Sequence, residues 1–152
     1  MIDAAQEQVL LVAFTLDVRE LVTPLQAARK RGCVVRLMVD HEWATGSRCR
    51  NMRVRLAQLA ANGCDVLVGP SSQRIHQKSL LCDRTLWIGS TNWTDASQRN
   101  IERGLGAILS RAQQQREEAE FRVLVNSAVS FRDAPETSSR LPAEPSQDTP
   151  CR

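Results

Sequence analysis

Residues 75–93 read IHQKSLLCDRTLWIGSTNW, and the way this stretch pairs decides the fold. Residues 73–82 alternate in polarity and then turn continuously apolar, residues 83–85 have the composition of a tight turn, and LWI at 86–88 returns as a hairpin partner. Side chains two apart in an extended segment share a side, so His76 and Lys78 project together. The chain holds only two histidines, and eighteen of its twenty basic residues are arginine, which makes a His–Lys pair at this spacing conspicuous.

Upstream, short apolar runs alternate with helical patterns. VLLVAF (9–14) is the unbroken run of a strand buried on both faces. Val18, Leu21, Val22, Leu25 and Ala28 then recur at helical spacing up to Gly32. Asp17 and Glu20 stand at capping-box distance, and Pro24 either kinks this helix or opens it behind Thr23. CVVRLMVD (33–40) is a second strand and residues 41–47 a loop. Met52, Leu56, Leu59 and Ala60 mark a second helix closed by Asn62 and Gly63, and CDVLV (64–68) is a third strand. Strand, helix, strand in this order gives right-handed crossovers and parallel pairing. After the hairpin, GSTNWTDAS is a loop opening a short helix, GLGAIL (104–109) a last strand, and residues 112–128 a final helix burying Phe121, Leu124 and Val125. The expectation is one α/β domain over residues 1–131, a mixed, largely parallel β-sheet flanked by helices on both faces. Residues 132–152 hold four of the six prolines among Ser, Thr and charges and read as a disordered tail.

A chain of 152 residues with 42% hydrophobic and 24% charged residues can close such a core without metal or disulfide staples. Its five cysteines, at 33, 49, 64, 82 and 151, are odd in number and never spaced C-x-x-C, which speaks for reduced thiols rather than a disulfide framework or zinc site. That points to an intracellular setting, cytoplasmic or mitochondrion-associated. No apolar run approaches the ~18 residues of a membrane span, and the opening MIDAAQEQ lacks the basic region of a signal peptide, so the chain reads as soluble. Net charge is +3 overall and +4 over the first 131 residues. Arg48, Arg50, Arg53 and Arg55 fall within eight residues without an acid. Such a cluster marks either a phosphate-bearing partner, nucleic acid or anionic lipid, or a solvated helix face.

An imidazole beside an ammonium is suited to phosphoryl chemistry. The ring can attack phosphorus or protonate a leaving oxygen, and the cation neutralises charge growing on the phosphate. Asn92 can supply amide donors to the same oxygens, and Glu102 can accept from the second ring nitrogen and fix the tautomer. His41, in the loop after a strand's carboxyl end, is either a further lining residue or a surface residue. Trp43, Trp87 and Trp93 read as packing residues.

His76-x-Lys78, Asp83 after four residues, and Gly89-Ser90-x-Asn92 together resemble the HKD signature of the phospholipase D superfamily. The continuation NWTDASQRNIE is similar to its small single-motif members, the bacterial Nuc-type endonucleases and the mitochondrial cardiolipin hydrolase (Zucchini) group. VLLVAF, VVRLMVD and NGCDVLV occur in family order, so the resemblance covers most of residues 1–131. Two intervals differ: five residues separate Asp83 from Gly89 where the family usually has six, and Asn92 to Glu102 is one shorter. The resemblance implies a metal-independent phosphodiesterase, without a cofactor, acting on nucleic acid or a cardiolipin-like phospholipid through a phosphohistidine. In it His76 is the nucleophile, Lys78 and Asn92 bind phosphate, Ser90 and Gly89 line the pocket, Glu102 orients His76, and Asp83 holds the turn. A single motif lacks a second acid, so the resemblance also implies a homodimer sharing one cleft. The other reading is a catalytically silent module on this fold that binds nucleic acid or anionic lipid. The cardiolipin-hydrolase group usually carries an N-terminal anchor that these residues do not contain.

Overall fold

The computed structural model describes residues 1–17, 19–46 and 50–134; Val18, Arg48, Cys49 and the tail from residue 135 on, including Cys151, lie outside the described residues. The described chain forms β1 (Gln8–Ala13), α1 (Arg19–Lys30), β2 (Val34–Val39), α2 (His41–Thr45), α3 (Arg50–Ala61) and β3 (Asp65–Val68). It continues through β4 (Ser79–Cys82), β5 (Thr85–Gly89), β6 (Gly104–Ile108), α4 (Arg111–Val125) and β7 (Val129–Ser130).

Among the described residues these strands make one seven-stranded sheet in the order β6-β5-β4-β1-β2-β3-β7. The mixed α/β architecture is the one read from the sequence. Parallel pairing is confined to β1–β2 and β2–β3, and the other four pairings are antiparallel, fewer parallel contacts than the crossover pattern suggests. The reason is that β4 inserts beside β1, with Val12 opposite Ser79, so the hairpin extends the sheet antiparallel from its centre. Odd-numbered residues of β1 (Val9, Leu11, Ala13) join Leu25 and Ala28 of α1 and Met52, Leu56 and Leu59 of α3 on one face. Leu10 and Val12 join Leu81, Leu86 and Phe121 of α4 on the other. Burying a Leu side chain contributes about 1.5–3 kcal/mol, so these two layers supply most of the driving force.

Local signals explain the helix ends. Gly32 and Gly63 have φ of +98° and +82° and close α1 and α3 in the left-handed region glycine tolerates. Pro24 lies inside α1 rather than at its start. Ser110 and Gln113 cap α4 reciprocally. Three short elements carry no sequence signal: a 3-10 turn at Ile2–Ala4, α2, whose residues have the composition of a loop, and the edge strand β7. The folded chain also runs past residue 131, because Arg132 Nη2 donates to the Ala60 carbonyl at 2.6 Å and Ala134 packs on the core. Cys33, Cys64 and Cys82 are free and buried, and burial pushes the Cys64 and Cys82 thiols up to about 11. No helix among the described residues is long and apolar enough to cross a membrane.

Asp83 anchors the hairpin. Its backbone takes φ +49°, and Cys82 pairs with Thr85 across a two-residue turn, which accommodates the short interval before Gly89. The carboxylate accepts from the backbone N–H groups of Gln6, Glu7 and Gln8 at 2.9, 3.0 and 2.9 Å, pinning the start of β1 to the β4–β5 turn. Burial pushes its pKa up, but the amides of Gln8, Gln6 and Glu7 outweigh this and hold it below 3.8. A lowered carboxylate contributes stability that is present above pH 3.8 and lost as pH falls through the folded value. Asp83→Asn is therefore expected to cost about 1 kcal/mol at neutral pH. In urea melts taken against pH, the gap between wild type and variant should close in acid; a constant gap would contradict this role.

Candidate active site

One end of the sheet gathers the candidate residues, because the carboxyl ends of β1, β2 and β5 meet the amino ends of β4 and β6 there. β4 begins at Ser79, so His76 and Lys78 lie on the loop before it and not in a strand, as their alternation suggested. Asp40 is the cause: its Oδ2 accepts the Ile75 backbone N–H at 2.9 Å, diverting that amide from any ladder. Its Oδ1 accepts from Glu42 N and Trp43 N and caps α2. Asp40 is only 2% exposed, and burial pushes its pKa above the ordinary value against the pull of the Ile75 and Trp43 amides.

His76 and Lys78 nonetheless converge. Lys78 Nζ lies 3.1 Å from His76 Nε2 and donates to the His76 carbonyl at 2.8 Å. An ammonium has only donors, so this contact requires Nε2 to present its lone pair, with the proton on Nδ1. Lys78 is 5% exposed whereas His76 faces solvent. The Phe14 ring, at the end of β1, supports both: its centroid is 4.7 Å from the His76 ring and 5.1 Å from Lys78 Nζ. Cation–π attraction offsets part of the cost of burying that ammonium. Trp43 meets Phe14 edge-on at 5.5 Å and completes the wall.

The Gly-Ser-x-Asn segment follows β5. A Cβ on Gly89 would come within 2.7 Å of the Arg103 carbonyl and 2.9 Å of Gly104 Cα, and the Trp87 ring lies across both glycines. Gly89 therefore lets β5 and β6 close together. Ser90 N donates to the Arg103 carbonyl at 2.9 Å, and its hydroxyl accepts from Arg103 N at 3.1 Å and donates to Glu102. Asn100 Nδ2 donates to the other Glu102 oxygen at 3.2 Å. The two carboxylate oxygens thus go to Ser90 and Asn100, where the sequence had assigned Glu102 to His76. Asn92 is 6% exposed and its Oδ1 has no hydrogen-bond partner; the same holds for Thr15 Oγ1. The two are neighbours in the fold, since Trp93 N donates to the Thr15 carbonyl at 3.2 Å. Buried polar atoms left without partners are costly and concentrate at functional sites.

Of the arginine cluster, Arg48 lies outside the described residues. Arg55 turns to Asp17 at 2.5 Å, whose pKa burial raises despite that guanidinium, while Arg50 is exposed on another side of α3. His41 opens α2 directly after Asp40. No group of three metal-ligating side chains occurs among the described residues. Phe14, Asp40 and Thr15 were missed from the sequence; an aspartate directly after an apolar strand was the available signal for Asp40.

The family model of the cardiolipin synthase, PLD-like domain, matches residues 1–125. Among solved structures, Nuc, a phospholipase D family member from Salmonella typhimurium, superposes with a TM-score of 0.77 at 22% identity, over 85% of this chain and 84% of Nuc. NucT from Helicobacter pylori gives 0.68 at 16% identity, over 86% of each chain. TrmBL2, an archaeal chromatin protein described with a novel mode of DNA binding, gives 0.61 at 15% identity, over 85% of this chain and 48% of its own. No curated protein sequence matches.

Proposed function

The chain belongs to the PLD-like domain family of the phospholipase D superfamily, and on that premise we propose that it hydrolyses phosphodiester bonds through a phosphohistidine on His76. The observation that supports this most is the 3.1 Å approach of the buried Lys78 ammonium to Nε2 of an exposed imidazole. When a phosphodiester enters, Lys78 turns from Nε2 to a non-bridging oxygen, and the released lone pair attacks phosphorus. The P–N bond forms as the P–O bond to the leaving group breaks, and the leaving oxygen takes a proton from a general acid. Water then attacks the phosphohistidine, its proton returns to that base, and a monoester departs. Asn92 offers its amide to the phosphate, Ser90 and Gly89 shape the pocket, and Glu102 holds Ser90 in place. Asp83 acts only by fixing the hairpin. Side chains supply the charge stabilisation, so turnover is expected to persist in EDTA.

The general acid comes from His76 of a second copy across a two-fold axis, which makes the protein a homodimer. His41 is the alternative within the chain. Light scattering should give a dimer, and His41→Ala should keep activity within about threefold of wild type, the range of a residue outside the chemistry. An active, strictly monomeric protein would sink the shared cleft. Substrates are nucleic acid or a cardiolipin-like phospholipid, separated by incubating single-stranded DNA, RNA and cardiolipin in parallel. A silent binding module is the second reading, favoured by the Ser90–Glu102 contact and by the likeness of fold to TrmBL2. Salt-sensitive binding without product on one preparation would select it.

A further inference from the structure

Arg74 stands two residues before His76, outside the His-Lys-Asp pattern, yet it shares the same aromatic support. Its guanidinium carbon lies 5.7 Å from the centre of the Phe14 ring, which also carries His76 and Lys78. One ring thus gathers three basic side chains. Arg74 lies at the rim, its side chain 52% exposed. Its Nη2 donates to Glu42 at 3.2 Å, and the Glu42 side chain is 40% exposed. An ion pair as wet as this holds little net stability, and a phosphate offers the guanidinium fork a bidentate partner in its place.

The surrounding surface indicates which phosphate. Ser71, Ser72, Gln73, Arg74, His76 and Gln77 are all exposed and polar, and the intervening Ile75 is buried. Such a rim suits a sugar-phosphate chain. A diester with one phosphate has nothing left for Arg74 once Lys78 is engaged, whereas a strand presents a second phosphate next to the first. We propose that Arg74 binds the phosphate adjoining the scissile one in a single-stranded polynucleotide, exchanging Glu42 for it. Glu42 then acts as a competing anion that weakens binding in the resting site. The term scissile rests on the phosphodiesterase reading above; the binding role does not.

The test compares Arg74→Gln and Glu42→Gln on a single-stranded oligonucleotide, on bis-nitrophenyl phosphate, which has one phosphate, and on cardiolipin vesicles. Arg74→Gln should raise KM for the oligonucleotide about tenfold with kcat little changed and leave the single diester unaffected. Glu42→Gln should lower the same KM about twofold, since the competing carboxylate is gone. In equilibrium binding of the oligonucleotide, Arg74→Gln should also flatten the dependence of log K on log salt by about 0.7, one phosphate contact. A pair that merely braced the loop would make both variants move KM in one direction, and that result overturns the proposal. It is equally overturned if Arg74→Gln leaves KM and salt slope unchanged, or acts on vesicles and not on the strand. If wild type cleaves none of the three substrates, the phosphodiesterase reading fails, and the salt slope alone still decides for or against Arg74.

Discussion

Replacing His76 by alanine is expected to lower phosphodiester turnover by about 10⁴-fold or more, because the proposed phosphohistidine can no longer form. Stability should hardly change. The ring faces solvent, and the loop that carries it is fixed through the Ile75 amide on Asp40 and the Lys78 carbonyl, which accepts from Gly89 N at 3.2 Å. Labelled substrate phosphate should be trapped on wild-type protein after alkaline quenching, lost after acid quenching, and absent from the variant. Turnover of the alanine variant at the wild-type rate would end the phosphohistidine mechanism. Trapped label on the variant would move the nucleophile elsewhere.

Lys78→Met should separate activity from stability more sharply than any other substitution at this site. Lys78 is 5% exposed and its ammonium lies over the Phe14 ring. Methionine follows the same path with an apolar end, so the cost of burying charge disappears while packing is largely kept. Thermal stability is expected to stay level or rise by a few degrees, roughly what relief of 1 kcal/mol gives a domain of this size. Turnover should fall about 10³-fold, as removing one charge-stabilising donor typically does. A variant that melts much earlier would show Lys78 to be a structural residue. One that retains activity would remove it from the chemistry.

Much of the architecture was legible because its signals are local. VLLVAF, VVRLMVD and CDVLV became β1, β2 and β3, the glycines at 32 and 63 closed the helices expected there, and the Asp83 turn formed where the composition placed it. The short elements α2 and β7 were not legible, since neither spans enough residues to show a period. At the site, the His76–Lys78 neighbourhood was visible at a spacing of two. Its cause was not, because the Phe14 ring lies 62 positions away from His76 and the Asp40 carboxylate binds Ile75 across a separation of 35 residues. Glu102 shows the same limit: spacing named the residue, but the close approach of Gly89 and Gly104 under Trp87 decided that Ser90 would be its partner.

By itself, then, the sequence determined the longer strands and helices and offered the side chains with groups suited to phosphate chemistry, because periodicity, turn residues and functional groups are properties of neighbours along the chain. The tertiary structure alone decided that β4 lies against β1, that the histidine loop leaves the ladder, and that one phenylalanine gathers His76, Lys78 and Arg74. Those outcomes depend on contacts between distant segments, where buried carboxylates and rings choose partners by the space and donors the whole fold provides.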